Sequence, residues 1–418
     1  MPMVKNIVLL NDYDYITGGS GQIAVTTANA LAETGRRVIF LSAVSNPERS
    51  TLSPKVEKHS TQQYDILNNP SRIDALYKGL WNNKSAKLLR SILESIDPAE
   101  TVIHIHSWIK ALSSSVGKVI FDSGFPVVCT LHDFFTVCPN GGFYNYPRNE
   151  ICYLKPMSLS CICSNCDVRS YPQKIWRVAR QGIQSQFGKI PGGIRHFIAV
   201  SKFSEDILRP WLPASARIHP LSNPVTYSEA SRPRADVSSG KLLYIGRLSP
   251  EKGVVLACEA ARIAGVPLTI LGDGPLKDVL PAQYPEVDFK GWQPQSEVFR
   301  EMLQSTALVL PSVCYETQGL VVLESLSAGL PAIVADKCAA RDYVDGRNGV
   351  TFRSGDVADL SEKIRTMLQD RDKVEEMSKY AHTRYWENPL LPESFIKGTL
   401  DIYNLVLQDN KKEAYAVK

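Results

Sequence analysis

Residues 241–253, KLLYIGRLSPEKG, combine an apolar run with two cations at a fixed spacing. The run predicts a strand, and Arg247 and Lys252 follow it in a loop that ends at a predicted helix start. Two cations near the carboxyl end of a strand and beside a helix N-terminus suit a diphosphate, because side chains and free backbone N–H groups both favour negative charge. Ordinary surface charge is the alternative. The order strand, glycine, arginine and lysine favours the phosphate interpretation.

A second charged stretch, residues 308–335, reads LVLPSVCYETQGLVVLESLSAGLPAIVA. Glu316 is predicted in the loop that leaves a strand, and Glu324 lies two turns into a helix that begins near residue 318. Gly319 would let a ligand approach the opening turn of that helix, whose free amides suit an anion. The carboxylate of Glu324 could accept hydrogen bonds from a ribose diol, each contributing about 1.5–3 kcal/mol. Its alternative is a solvated glutamate, but the apolar neighbours predict a mostly buried helix.

A glycine-rich stretch near the N-terminus satisfies G-x-G-x-x-A with Gly19, Gly21 and Ala24. In a dinucleotide-binding turn the first glycine directly follows a strand, and an acidic residue ends the next strand. Here eight residues separate the predicted strand 7–10 from Gly19, and no acidic residue closes the strand at 37–42. A nicotinamide or flavin site is therefore disfavoured, and a permissive turn before a helix is the simpler alternative.

Short apolar runs alternate with helical stretches along the whole chain, which predicts parallel sheets with crossover helices. Strands are predicted at 6–10, 37–42, 102–106, 126–131 and 196–200, and again at 241–245, 268–271, 287–290, 307–310 and 332–335. The fold class is therefore α/β, with two Rossmann-like doubly wound domains that face a central cleft. The predicted parts are an N-terminal domain 1–207 with a cysteine-rich insertion at 138–167, a proline-bearing linker 208–226, a C-terminal domain 227–385 and a final segment 386–418.

Bulk composition fits a globular protein of two domains, with 418 residues and a net charge of +4. This charge is too mild to indicate nucleic-acid binding. Basic residues concentrate between 169 and 217, interleaved with apolar residues such as Trp176 and Phe187. A solvated helix face is the usual explanation, and contact with an anionic membrane surface is the alternative. The apolar run at the N-terminus is too short for a signal peptide or a span, so we expect a cytoplasmic protein, with the inner face of the cell membrane as the alternative location.

Five of the nine cysteines fall between residues 138 and 166. In a reducing compartment thiols stay free, so a disulfide scaffold is not expected. The pair Cys163 and Cys166 has metal-hairpin spacing, and Cys138 and Cys152 could complete a structural zinc site. Cys161 would be left over. Thiols without a metal are the alternative, and in either case the insertion is not expected to take part in catalysis.

Asp12 and Asp14 form a D-x-D triplet, the pattern by which another class of sugar-nucleotide enzymes holds a divalent metal. A three-residue match has low specificity. With Arg247 and Lys252 already supplying positive charge, a catalytic metal would be redundant, and we expect none.

Taken together, these motifs resemble glycosyltransferase family four, retaining enzymes of the two-Rossmann GT-B fold that carry a G-R-x4-K-G loop and an E-x7-E motif. The resemblance covers almost the whole chain. Its further elements are Gly18-Gly19, Leu131-His132-Asp133, Ala199-Val200-Ser201, Gly272-Asp273-Gly274 and Ala328-Gly329-Leu330-Pro331. One departure concerns Glu316-Thr317-Gln318-Gly319-Leu320, where the family commonly reads E-G-F-G-L, so the donor sugar cannot be inferred by analogy.

The resemblance implies roles for individual residues. Arg247 and Lys252 would hold the diphosphate of the donor. Glu324 would bind the ribose and Glu316 the hexose. The amides of Gly319 and Leu320 would complete the phosphate cradle. Two residues of the first domain have implied roles: the loop at Gly19 would cover the diphosphate, and His132 would approach the transferred sugar. The final segment 386–418 would be a helix that crosses back to the first domain, with a simple terminal helix as the alternative.

The resulting hypothesis is a retaining, metal-independent hexosyltransferase. It would use a UDP- or GDP-linked sugar and a glycan or lipid-linked glycan acceptor, in the synthesis of a cell-surface polysaccharide such as O-antigen, lipopolysaccharide, capsule or exopolysaccharide. Peripheral contact with an anionic membrane stays the alternative to a solvated basic face, and nucleic-acid binding is not expected. The alternatives are a sugar-nucleotide epimerase, which would isomerise the donor without an acceptor, and a nonenzymatic sensor, which would bind the donor without transfer.

Overall fold

The computed structural model describes residues 3–225 and 232–416 of the protein, and these form two compact units. Unit 1 consists of Met1–Gly142, Leu154–Asn223 and Pro392–Lys418, and unit 2 of Phe143–Tyr153 and Pro224–Leu391. The predicted boundary at residue 207 falls too early, since unit 1 continues to Asn223. The last residue of the predicted linker, Thr226, and the first five of the predicted C-terminal domain lie outside the described residues.

The described residues contain fifteen strands. They are β1 (Asn6–Leu10), β2 (Arg37–Ser42), β3 (Glu57–Ser60), β4 (Thr101–Ile105), β5 (Val127–Leu131), β6 (Tyr144–Asn145), β7 (Glu150–Ile151), β8 (His196–Ala199), β9 (Arg217–Pro220), β10 (Leu242–Ile245), β11 (Leu268–Leu271), β12 (Asp288–Gly291), β13 (Ala307–Leu310), β14 (Ala332–Ala335) and β15 (Gly349–Phe352).

The same residues contain fourteen α-helices. They are α1 (Gly19–Glu33), α2 (Arg72–Leu80), α3 (Asn83–Leu93), α4 (Ser115–Ser123), α5 (Leu159–Cys163), α6 (Tyr171–Gln186), α7 (Lys202–Leu208), α8 (Val254–Ala264), α9 (Leu280–Gln283), α10 (Gln295–Leu303), α11 (Leu320–Ser327), α12 (Val357–Leu368), α13 (Arg371–Glu387) and α14 (Pro392–Ala416). None of these helices has the length and apolar character that a bilayer crossing requires.

Each unit is built on a parallel sheet of Rossmann type. The order in unit 1 is β3-β2-β1-β4-β5-β8-β9, and in unit 2 it is β12-β11-β10-β13-β14-β15. In both sheets the order reverses beside the strand that comes first in sequence, β1 or β10, so the carboxyl ends there form the switch point at which ligands of such folds bind. The central strands are continuous apolar runs, and the last four residues of β1 are fully buried. Such runs are typical of strands covered on both faces.

Helix α14 belongs to unit 1, although its chain neighbours α12 and α13 lie in unit 2. The Tyr403 hydroxyl lies 2.6 Å from Nδ1 of His104 on β4, and the backbone N–H of Val4 donates to Asn404 Oδ1 at 3.2 Å. The chain therefore returns to the first unit at its C-terminal end.

The cysteine-rich insertion is divided between the units. Its short antiparallel hairpin, β6 and β7, groups with unit 2, whereas α5 groups with unit 1. Tyr144 of the hairpin is buried, and its hydroxyl donates to Asn149 Oδ1 at 2.6 Å. The insertion is therefore not a single appendage of the first unit, contrary to the sequence-based prediction.

Candidate active site

The strongest pairing among the predicted site residues joins Lys252 to Glu316. Lys252 Nζ lies 2.6 Å from Glu316 Oε1, and the Ser312 hydroxyl donates to the same oxygen at 2.7 Å. Burial lowers the pKa of Lys252, but the charge of Glu316 more than offsets it, so the pKa is raised. The ammonium is therefore charged at neutral pH and is held in one place after the carboxyl ends of β10 and β13.

The two loops that carry this pair are fixed to each other by their backbones. The Val313 N–H donates to the Glu251 carbonyl at 3.1 Å. Gly253 has a φ of 68°, and a Cβ there would meet the Pro311 carbonyl oxygen at 1.9 Å. Only glycine allows this approach, which explains the glycine after the lysine in the motif.

The helix α11 begins directly after Gly319, which has a φ of 77° and a ψ of 51°. A Cβ at Gly319 would lie 2.8 Å from Ala340 Cβ, so a side chain is excluded both by conformation and by space. Within the described residues the Leu320 N–H donates to no carbonyl, as is usual for the first amide of a helix, whereas the Val322 N–H donates to the Gly319 carbonyl at 3.0 Å. The start of α11 is suited to an anionic group.

Glu324 lies one turn into α11 and is partly buried. Within the described residues its carboxyl has no hydrogen-bond or ion-pair partner, and burial raises its pKa to about 7. A buried carboxyl without a donor is unfavourable. It is therefore suited to a ligand that brings hydroxyl donors.

Arg247 is exposed in the loop after β10. Its backbone carbonyl accepts from the Tyr244 hydroxyl at 3.0 Å, and its guanidinium forms no ion pair in the described segments. The structure thus places Arg247 in the same loop as Lys252, but it does not bring the Arg247 side chain into contact with Glu316 or Glu324.

Tyr315 was not singled out from the sequence, although it precedes Glu316. Burial raises its pKa to about 12, with contributions from the charge of Tyr153 and the hydrogen bond to it. Tyr153 follows the hairpin of the insertion. This contact between residues 162 positions apart has no local sequence signal.

In unit 1, His132 follows β5 and forms a pair with His106, which follows β4. His106 Nδ1 lies 2.9 Å from His132 Nε2, and burial lowers the pKa of His132 to about 4. Burial and the charge of His104 hold the pKa of His106 well below its usual range. Both rings are therefore neutral at pH 7, and one donates to the other.

A third histidine, His104, extends this group. Its ring centroid lies 4.0 Å from that of His106, and its Nε2 lies 2.7 Å from Thr130 Oγ1. The sequence prediction missed His104 and His106. Their alternation at the end of β4, beside the strand that precedes His132, was the available signal.

Gly19 is exposed at the first residue of α1, and a Cβ there would meet no neighbour within 4 Å. The preceding Gly18 has a φ of 151°. Eight residues separate the end of β1 from the start of α1, as the sequence predicted. The turn is therefore longer than a dinucleotide-binding turn.

The D-x-D triplet has a structural explanation. The Asp12 carboxylate accepts from the backbone N–H groups of Lys110, Ala111 and Leu112 at 2.9 Å each. Asp14 accepts from the Asn46 N–H at 3.1 Å and from a serine hydroxyl. Both carboxylates are thus committed to holding loops.

The cysteines do not assemble as the predicted zinc site. Cys163 is exposed and Cys152 is half-buried, whereas Cys138 and Cys166 are buried. Within the described residues no group of three or more His, Cys, Asp or Glu side chains is arranged to hold a metal.

A cation of the protein itself lies among the sulfurs. Lys174 is fully buried, and its Nζ lies 3.6 Å from Sγ of Cys161, the cysteine left out of the predicted set. Burial lowers the Lys174 pKa, but the neighbouring Cys166 and Cys161 outweigh this and raise it. A zinc ion beside this ammonium would be repelled. The residues present therefore do not fit zinc. The neighbouring sulfurs also explain how Lys174 can be buried, although its place in the basic stretch 169–217 predicted a surface residue.

The fold and these residues define a protein of the GT-B glycosyltransferase class. The model described as Glycosyltransferase Family 4 matches residues 17–229, which is more than half of the chain, and the model described as Glycosyl transferases group 1 matches residues 229–384. The chain belongs to this family. The resemblance inferred from the motifs and the two-domain Rossmann-like fold are thereby confirmed.

Individual relatives are more distant. The sulfoquinovosyl transferase SQD2 of Arabidopsis thaliana is 33% identical over 148 residues, which are 34% of this chain and 29% of that protein. A glycogen synthase of Mycobacterium tuberculosis is 30% identical over 200 residues, 44% of this chain and 48% of that protein. The matched segments thus span less than half of each relative.

Among solved structures, the Anabaena protein HepE in complex with UDP superimposes with a TM-score of 0.65 at 17% identity. The match covers 96% of this chain and 100% of that chain. At this identity the likeness concerns the fold.

Proposed function

We propose that this protein transfers a hexose from a nucleoside-diphosphate sugar to a glycan or lipid-linked glycan, with retention at the anomeric carbon, in cell-surface polysaccharide synthesis. The observation that carries the proposal is the Lys252–Glu316 pair at 2.6 Å beside the free amides of α11. It supplies positive charge for a departing diphosphate and a carboxylate for sugar hydroxyls in one place.

The donor nucleotide would be bound by residues of unit 2. Lys252 and Arg247 would neutralise the diphosphate, and the amides of Gly319 and Leu320 would donate to its oxygens. The unpartnered carboxyl of Glu324 would accept from the ribose hydroxyls. The UDP named in the HepE structure supports a nucleoside diphosphate, and GDP is an equal expectation for this chain.

The chemistry would rest on charge stabilisation. As the bond between sugar and diphosphate breaks, negative charge grows on the leaving phosphate, and fixed cations and amides stabilise that charge most when they are already in position. The acceptor hydroxyl oxygen would bond to the anomeric carbon on the same face of the sugar, and its proton would pass to the leaving phosphate oxygen. This route needs no catalytic metal, and the commitment of both D-x-D carboxylates to backbone amides supports that view.

His132 would contact the transferred sugar from unit 1. A neutral imidazole carries its proton on one nitrogen and accepts at the other. The hydrogen bond between His106 Nδ1 and His132 Nε2 would determine which nitrogen of His132 carries the proton. His106 is then a positioning residue for His132.

The proposal is tested first by donor binding and then by product analysis. Thermal shifts are measured with uridine, guanosine and adenosine diphosphate sugars, and products of the best binder are analysed with and without glycan acceptors. A transferred hexose with retained configuration supports the proposal. An isomerised donor without acceptor, or tight donor binding with neither transfer nor hydrolysis, would contradict it.

A further inference from the structure

A large cavity in unit 1 is not used by the donor site or by the histidine group. Its volume is about 570 Å³, and it lies between helices α2 and α6 and the loops that follow β4 and β5. Gly79 of α2 faces Trp176 of α6, and a Cβ on Gly79 would lie 2.7 Å from the indole. The two helices therefore meet closely at one end and leave the cavity at the other.

The lining combines apolar walls with cations. Five of the fourteen lining residues are Arg or Lys, and none is Asp or Glu. Arg177 is neutralised by Asp167 at 2.6 Å. Arg72 and Arg169 are exposed and form no ion pair in the described parts of the chain. Asp12, Asp133 and Asp167 also act electrostatically on Arg180, but the residues that line the cavity carry excess positive charge and are suited to an anion.

Arg180 is the most constrained of these cations. It is only 3% exposed, its Nη2 donates to the Pro139 carbonyl at 3.2 Å, and its Nε has no partner. The guanidinium carbon lies 5.2 Å from the ring centroid of Trp176. A buried guanidinium with an unused donor is costly unless a ligand supplies an acceptor.

Apolar side chains continue from the cavity to the surface. Ile73, Leu76 and Tyr77 lie three and four positions apart on α2, and they are 82%, 51% and 64% exposed. At this spacing they share one helix face. Leu76 also lines the cavity. An exposed apolar face beside a basic cavity is typical of a surface that receives an amphiphile from a bilayer.

The cavity adjoins a smaller one that contains His106 and Asp133. Ile109, Lys110 and Phe135 line both. A ligand in the larger cavity would therefore reach the vicinity of the histidine group.

We propose that the α2–α6 cavity binds the phosphate-bearing lipid end of the acceptor, with the phosphate at Arg180 and Arg72 and the hydrocarbon chain against Trp176 and Leu76. This proposal rests on the proposed function, because it takes the ligand to be the acceptor of the transferred sugar. It adds the chemical class of that acceptor. The cations would bind the phosphate of one amphiphile, and the apolar walls would contact its hydrocarbon chain.

The test is calorimetric binding of farnesyl phosphate to the full chain without donor, below the concentration at which the lipid forms micelles. Farnesol and inorganic phosphate are the matched probes. Farnesyl phosphate is expected to bind at least about tenfold more tightly than either. Equal binding of farnesol, or of inorganic phosphate, would overturn the proposal, as would absence of binding.

Two variant pairs locate the site. Arg72→Ala and Leu76→Asp are each expected to weaken farnesyl phosphate binding by about tenfold. Their controls, Arg90→Ala and Leu159→Asp, change exposed residues of the same unit outside the cavity and should leave it unchanged. Unchanged binding by both cavity variants would refute the location.

The two proposals can fail separately. If lipid phosphate does not bind but transfer to a lipid-free glycan proceeds, the cavity proposal fails and the enzymatic one stands. If lipid phosphate binds and no sugar nucleotide is ever turned over, the cavity is a lipid-phosphate site, and the enzymatic proposal fails together with the assignment of that lipid as an acceptor.

Discussion

Two lysine–glutamate pairs in unit 2 have similar chemistry and different surroundings. Lys252 meets Glu316 at 2.6 Å, and Lys241 meets Glu301 at 3.0 Å. The lysines are 29% and 23% exposed, and the glutamates 18% and 11%. The first pair follows the carboxyl ends of β10 and β13, whereas Lys241 immediately precedes β10.

We infer that position, and not pairing, would distinguish the proposed donor site from a structural contact. Glu301 is saturated by two lysines, since Lys290 also donates to it. Glu316 holds one lysine and one serine beside the start of α11, where backbone donors are free. In parallel sheets ligands bind at the carboxyl ends of the strands. Lys241–Glu301 therefore serves as an internal control.

The largest contrast is expected from removing each lysine. Lys252→Ala should reduce kcat by about 10²–10³-fold, because a fixed donor to the developing charge is lost. Lys241→Ala should leave kcat within about threefold. Both are measured as transfer from the sugar nucleotide, with circular dichroism as the check on folding. Near-normal transfer by a folded Lys252→Ala protein would contradict the assignment.

Replacing each glutamate by glutamine should affect stability in the opposite order to activity: the larger stability loss is expected at Glu301 and the larger activity loss at Glu316. Glu301→Gln removes the partner of two lysines and should lower the free energy of unfolding by about 1–3 kcal/mol without changing KM for the donor. Glu316→Gln should cost less stability and reduce turnover. Urea unfolding and steady-state kinetics measure both. Equal stability losses with unchanged kinetics would remove the distinction.

Glu324 sharpens the comparison through pH. In the folded protein the pKa of Glu324 is about 7, above the ordinary 4.5. The folded state therefore keeps this proton to a higher pH than the unfolded state does, and the free energy of unfolding falls as pH rises from 4.5 to 7. Glu324→Gln should therefore raise the free energy of unfolding at pH 8 by about 1–3 kcal/mol and weaken donor binding about tenfold.

For the unmodified protein, donor affinity should fall as pH drops below about 7, because the carboxylate must lose its proton to accept from the ribose. Calorimetric titrations at pH 5.5–8.5 would measure this. The exposed Glu362→Gln serves as control, with no change expected in either property. A flat pH profile would argue against the role of Glu324.

The smallest effect concerns the glycine before α11. Gly319→Ala should cost about 2 kcal/mol, from its positive φ and the contact with Ala340 Cβ, and should weaken donor binding. Gly265→Ala, at a φ of 70° in open space after α8, should cost about 1 kcal/mol with unchanged binding. Thermal unfolding and donor titration separate the two. Identical binding losses would indicate a general loss of stability.

Much of the fold could be predicted because the central strands are buried on both faces. β1, β2, β11, β13 and β14 begin and end at the predicted residues. Five strands were missed: β6 and β7 form the short hairpin, and β3, β9 and β15 lie at sheet edges, where β3 reads EKHS. An edge strand need not be apolar, so its sequence carries little periodic signal.

For the candidate site, local motifs placed Lys252, Glu316 and Gly319 on the correct loops, since a left-handed glycine and a strand end have sequence signatures. The chain's order of apolar runs, glycines and charges thus determined the fold class and the loops on which the candidate donor residues lie. The pairing of Lys252 with Glu316, 64 positions apart, is a tertiary contact.

Only the tertiary structure decided the remaining features. It buried Lys174 and Arg180, which by composition belonged to a basic surface, and it paired His132 with His106. The physical reason is that the cost of burying a charge depends on which distant groups packing brings to it. Neighbours in sequence specify a strand or a turn, but the partners that stabilise a buried cation come from other elements of the fold.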